Sequence, residues 1–180
     1  MQKPKRTCIA LSQAVEHLVS FSLDGSDLNH IRKNLPQNGA INPVALEYES
    51  RLLKIIGVGW ALSYLTEGER LKENLTQTYW SAIQAFSHSL SSASSMAVGE
   101  DIDYFELLKS RLGTYLNAFQ ATARITDPLT IIGPTFAGLC ADGDNALLIL
   151  AGNKLFHLTI NGVRQYLDSI DICADDRPSK

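Results

Sequence analysis

Residues Asn42–Leu65 read NPVALEYESRLLKIIGVGWALSYL, and this stretch decides the fold class. Asn42 followed by Pro43 marks a helix start: the Asn side chain caps the first turn, and a proline in the first helical position loses no hydrogen bond and has its φ already set. Behind the cap, Ala45, Tyr48, Leu52, Ile55, Ile56, Gly59 and Leu62 recur at three and four as one stripe, and Leu46, Leu53, Trp60 and Tyr64 form a second. Glu47, Arg51 and Lys54 form a narrow polar strip. A helix that is apolar on most sides belongs at the centre of a helical bundle. Glu47 and Arg51 lie four apart and can pair, which is worth only ~0.3 kcal/mol on a helix surface.

Immediately downstream, Thr66-Glu67-Gly68-Glu69 matches a capping box, so a second long helix is expected to start there. Leu71, Leu75, Tyr79, Ala82, Ile83, Phe86 and Leu90 carry its stripe, which dissolves into serines before Gly99. So short a link makes the two helices neighbours in an antiparallel pair. Asp103 with Glu106 signals a third start, followed by the cleanest stripe in the chain: Phe105, Leu108, Leu112, Tyr115, Leu116, Phe119 and Ala123. Further on, Asp127-Pro128 repeats the cap-plus-proline start, and Gly133-Pro134 predicts a break into two short pieces, because proline removes an amide and clashes one turn back. From Asn145 to Ile160 the pattern suits a helix or a hairpin; the continuation through Val163, Tyr166, Leu167 and Ile170 favours helix.

Upstream, Leu11, Ala14, Val15, Leu18 and Phe21 predict an amphipathic helix over Thr7–Ser22, ended by Asp24-Gly25. A short helix over Asp27–Asn34 follows, stopped by Pro36. The expectation is therefore an all-α fold: a single-domain helical bundle of about six or seven helices over residues 1–173, with a polar tail at 174–180.

Composition narrows the function classes. In 180 residues, hydrophobic side chains make up 45% and charged ones 19%, which excludes disorder and leaves the surface short of charge. The net charge is −3 and the basic residues are scattered, so no nucleic-acid footprint appears. The longest apolar runs are interrupted by Lys54 or by Asp142 and Asp144, so no membrane span is predicted. Cys8, Cys140 and Cys173 are odd in number and far apart, which points to three reduced thiols and a cytoplasmic protein.

Each chemical motif has a plainer explanation. Gly57-Val58-Gly59 lacks the third glycine of a phosphate loop and sits in a helix, where glycines permit close approach of a neighbour. Asp142 and Asp144 alternate around Gly143, but the glycine is misplaced for a calcium loop and Asn153 stands where its last ligand should be; a turn and a helix cap explain the run. The serines from Ser87 to Ser95 surround His88 without a nucleophile elbow, and read as a close helix contact or a fraying end. His17, His30, His88 and His157 form no ligand pair, so neither a metal nor another cofactor is expected. Two features keep a functional reading. Trp60, Tyr64, Tyr79 and Trp80 on the adjoining long helices are candidates for an aromatic cleft or interface, with Asp101 and Asp103 as nearby carboxylates.

The leading expectation is a non-enzymatic interaction or adaptor-type protein acting through a helical surface, as a homodimer and with room for another protein partner. The dimer contact is expected on the second stripe of the central helix, Leu46, Leu53, Trp60 and Tyr64. The rival is an enzyme or small-molecule binder that uses the aromatic cleft. A deep polar pocket holding Asp101 or Asp103 favours the rival, and a flat apolar patch favours the first.

Overall fold

The computed structural model describes residues 6–27, 29, 41–98, 102–122, 127–141 and 143–173. They form β1 (Thr7–Ala10), α1 (Leu11–Leu23), α2 (Pro43–Leu65), α3 (Glu69–Val98), α4 (Tyr104–Gln120), α5 (Leu129–Cys140), α6 (Ala146–Ser169) and β2 (Ile170–Cys173). The fold is an all-α bundle of these helices, with one small parallel sheet. The expected Asp27–Asn34 helix, His30 and the polar tail lie mainly outside the described residues.

The centre is α2, which touches all five other helices. Its start follows the sequence: Asn42 Oδ1 accepts from the amides of Val44 (2.9 Å) and Ala45 (3.3 Å). Nearly every side chain from Leu52 to Leu62 is buried, and the two glycines allow that. A β-carbon at Gly57 would stand 3.1 Å from Thr159 Cγ2 on α6, and one at Gly59 would overlap the Trp80 ring on α3. The same device closes α6 onto α5, where a β-carbon at Gly152 would stand 2.7 Å from Phe136 Cδ1. Backbones approach because the side chain that would separate them is missing.

Helix α6 runs unbroken over the segment that also suited a hairpin, capped by Asn145 Oδ1 on the amides of Leu147 and Leu148. It is the one helix among the described residues that is long and apolar enough to cross a membrane by length and composition. Here Leu148, Gly152, Leu155, Phe156 and Val163 belong to the core.

Four expectations are corrected. Residues 7–10 are a strand, because β2 lies parallel beside them in the register Thr7↔Ile170 and Ala10↔Cys173 and takes up their backbone hydrogen bonds. That pairing also brings Cys8 and Cys173 together as a disulfide, Cα–Cα 5.8 Å, so only Cys140 is a thiol. Pro134 sits inside a continuous α5: its neighbour Gly133 packs on Ile149 and Asn153, and packing on α6 outweighs the lost amide bond. Thr66 caps the end of α2 instead of starting α3; its hydroxyl is buried without a hydrogen-bond partner among the described residues, and the turn passes through Gly68 at φ 82°, a conformation that suits glycine.

Candidate functional site

The candidate residues do not converge on one cleft. Trp60 is half-buried and stands edge-on to Phe119 of α4 (centroids 4.7 Å apart) and Phe156 of α6 (5.7 Å). Tyr79 is fully buried and its hydroxyl donates to the Ile55 carbonyl at 3.0 Å, while burial pushes its pKa up. Trp80 stands edge-on to Tyr79 at 5.5 Å, against Gly59. Tyr64 points to solvent, 82% exposed. Asp103 caps α4, its Oδ1 accepting from the amides of Phe105 and Glu106 at 3.0 Å each, and Asp101 lies outside the described residues. Among the described residues the aromatic cleft is therefore not assembled: Trp60 and Tyr79 serve packing, and Asp103 serves its helix.

The second stripe of α2 is not an open face either. Leu46 and Leu53 are buried within the chain, and only Tyr64 stays out. Trp60 is half-buried against Phe119 of α4 and Phe156 of α6, so the expected location of the dimer contact is corrected.

Two ion pairs escaped the sequence reading. Lys54, counted there as part of a polar strip, is fully buried; its Nζ donates to Asp27 Oδ2 and to the Asp24 carbonyl, each at 2.9 Å, and lies 4.5 Å above the Phe21 ring. Glu49, 4% exposed, takes the Arg111 guanidinium bidentately, with Nε at 2.9 and 3.0 Å and Nη2 at 2.8 Å. Each pair joins segments far apart in the chain, which no local spacing announces. Engaged through both oxygens by Arg111, Glu49 is held as a tie between α2 and α4. Cys140 is likewise inert: burial, reinforced by Glu49, pushes its pKa up to about 12, so the thiolate that reactivity requires is suppressed.

The surface that stands out is the C-terminal half of α3. From Asn74 to Val98 the helix contains no Asp, Glu, Lys or Arg. Its inner side is spent on the bundle: Leu75, Tyr79, Ile83 and Ser87 are buried. Ser91 Oγ accepts the Tyr104 amide at 3.2 Å and Ser94 Oγ meets the Tyr104 hydroxyl at 3.3 Å, which pins the start of α4 to this side. The outer side is open. Phe86, Leu90, Ala93 and Ala97 form one exposed row at spacings of four, three and four; Ala85, Ser89, Ser92 and Met96 form the adjacent one. Phe86 is 40%, Leu90 42% and Met96 89% exposed.

The serine-rich run is helical as far as Val98, and its hydroxyls turn inward on the helix itself. Ser89 donates to the Ala85 carbonyl and Ser92 to the His88 carbonyl, both at 3.0 Å. Each hydroxyl so engaged asks less of water, and the face behaves as a low, weakly polar ridge between larger apolar side chains. Its one histidine, His88, lies tilted beside Phe105 of α4 (centroids 6.2 Å apart), and among the described residues no group of His, Cys, Asp and Glu is arranged to hold a metal ion. What the face can do is pack. No protein-family model matches this chain, and neither a curated protein nor a solved structure matches it.

Proposed function

We propose that this chain is a non-enzymatic interaction protein that acts through the C-terminal half of α3, and that the partner is the same helix of a second copy. The observation that carries this reading is an exposed helix face, Phe86 to Ala97, without a formal charge. A solvated helix face ordinarily carries alternating charges, and contiguous apolar exposure marks contact surfaces.

The absence of charge also favours a second copy over a partner of opposite charge. In a two-fold contact each residue near the axis meets itself, so a charged face repels its own image and an uncharged one does not. Spacing of four, three and four stays close to the 3.6 residues of a helical turn, so the row keeps to one side of α3, where a second helix can pack against it. Ala85, Ser89, Ser92 and Ala93 are small enough to let the backbones draw close while Phe86, Leu90 and Met96 close over the flanks.

Light scattering over a concentration series tests the proposal. The expected mass is twice 19.8 kDa, and Leu90→Glu is expected to return it to 19.8 kDa with helicity unchanged. A native chain that stays at 19.8 kDa at high concentration overturns the homodimer, as does a dimer that survives both Leu90→Glu and Ala93→Glu.

A further inference from the structure

Where α2 gives way to α3, a cleft of about 280 Å³ opens between that turn, the last turn of α6 and strand β2. Its apolar lining is Leu65, Leu71 and Leu167, half-buried there, with Ile170 buried. Its rim is acidic, with Glu67, Asp168 and Asp171 all exposed. Asp171 is engaged by Arg6 at 3.4 Å, whereas Glu67 and Asp168 have no ion-pair or hydrogen-bond partner among the described residues. Thr66 also lines the cleft; it is 9% exposed, and its hydroxyl has no hydrogen-bond partner among the described residues.

We propose that this cleft binds a small organic amine, its ammonium group held by Glu67 and Asp168 and its apolar body laid on Leu65, Leu71 and Leu167. The chemistry selects this class. Three carboxylates against one guanidinium repel an anion, and the guanidinium is already engaged. A neutral apolar molecule fills the walls but leaves the two carboxylates unmatched, and a hydrated metal ion gains nothing from leucines. An ammonium with a hydrocarbon body satisfies both halves, and its three donors leave one for the Thr66 side of the cleft. Because the carboxylates sit at the rim, binding weakens as salt rises. The cleft lies at the N-terminal end of α3, so this proposal stands or falls independently of the contact at the other end.

Isothermal titration of the full, disulfide-bonded chain with benzylamine and with its neutral isostere benzyl alcohol tests it. Benzylamine is expected to bind saturably at one site, with Kd of ~1 mM or tighter at low salt, and benzyl alcohol at least about tenfold more weakly, the loss of a charge-assisted contact. Asp168→Asn is expected to weaken benzylamine roughly tenfold, and Leu71→Trp, which fills the apolar wall, to abolish its binding. If Leu71→Trp fails to fold, the exposed Asp168→Asn variant decides. Equal binding of amine and alcohol, no saturable binding of benzylamine, or binding undiminished by Asp168→Asn overturns the proposal.

Discussion

Helices α2 and α3 reverse the usual placement of charge, and the contrast between them explains most of the molecule. Helix α2, covered on nearly every side, buries Glu49 and Lys54; the outer face of α3, open to solvent, carries no charge from Asn74 onward. A buried charge persists only where the fold delivers a partner, and both receive one: Arg111 from α4, and Asp27 with the Asp24 carbonyl from the segment after α1. An exposed face without charge has no such requirement to meet, which leaves it fit for contact with another apolar surface. Burial alone therefore does not decide where a charge sits; the available partner does.

Substitutions on the two helices are expected to differ accordingly. Lys54→Ala should have the largest effect, because it leaves a cavity where a fully buried stem packed and strips Asp27 and the Asp24 carbonyl of their donor; a loss of ~3–5 kcal/mol in a urea titration is expected. Gln84→Ala on the exposed side of α3 should change stability by less than ~0.5 kcal/mol, and a comparable loss at both positions would erase the contrast. Next comes Gly57→Leu, which drives a side chain into Thr159 and should cost ~1–3 kcal/mol by overpacking, whereas Ala93→Leu on α3 should leave the monomer's stability within ~0.5 kcal/mol.

Alkaline pH sharpens the comparison without mutation. Burial raises the pKa of Cys140 from 9.0 to about 12 and also raises those of Tyr79 and Tyr115, with Glu49 adding to the effect at Cys140 and Tyr115. A group whose folded pKa exceeds its unfolded value contributes its full stability below the unfolded value and loses it as pH climbs toward the folded one. The urea midpoint should therefore fall progressively from pH 9.0 toward about 12. A midpoint unchanged across that window would mean that these groups titrate as if exposed. The smallest effect on the fold is expected from Leu90→Glu: less than ~0.5 kcal/mol in the monomer, read by thermal unfolding, although the same substitution is the one expected to halve the mass in solution.

The parts of this architecture legible in sequence are those whose cause is local. Asn42, Asp103 and Asn145 act as caps where their side chains reach amides two and three residues on, a relation contained in a single turn. Spacings of three and four located α1 to α4 and favoured helix over hairpin for α6, because the buried side of a helix is written in its own residues, and the close approach at Gly57 and Gly59 was legible for the same reason. Where two local signals compete, the reading erred. The capping box at Thr66 lost to the end of α2, and the break expected at Pro134 lost to the contact of α5 with α6.

The candidate aromatic residues show the limit from the other side. Periodicity placed Trp60, Tyr64, Tyr79 and Trp80 on adjoining helices, but whether such rings line a cleft depends on how α4 and α6 approach, and Phe119 and Phe156 claim Trp60 for the interior. The ridge on α3 was half visible, as a serine-rich run with a close helix contact or a fraying end as its two readings. Its openness depends on which side α4 takes, and Tyr104 settles that from beyond the end of the helix.

By itself, then, the amino-acid sequence determined an all-α chain, its central helix and three of its caps, because hydrophobic period and backbone capping act over one or two turns. Only the tertiary structure decided that Lys54 is buried, that Glu49 holds Arg111, that Cys8 meets Cys173 in a two-stranded sheet, and which helix face is left open. Those outcomes join residues as much as 165 positions apart, and an encounter at that distance is set by the packing of every helix between them, not by any spacing along the chain.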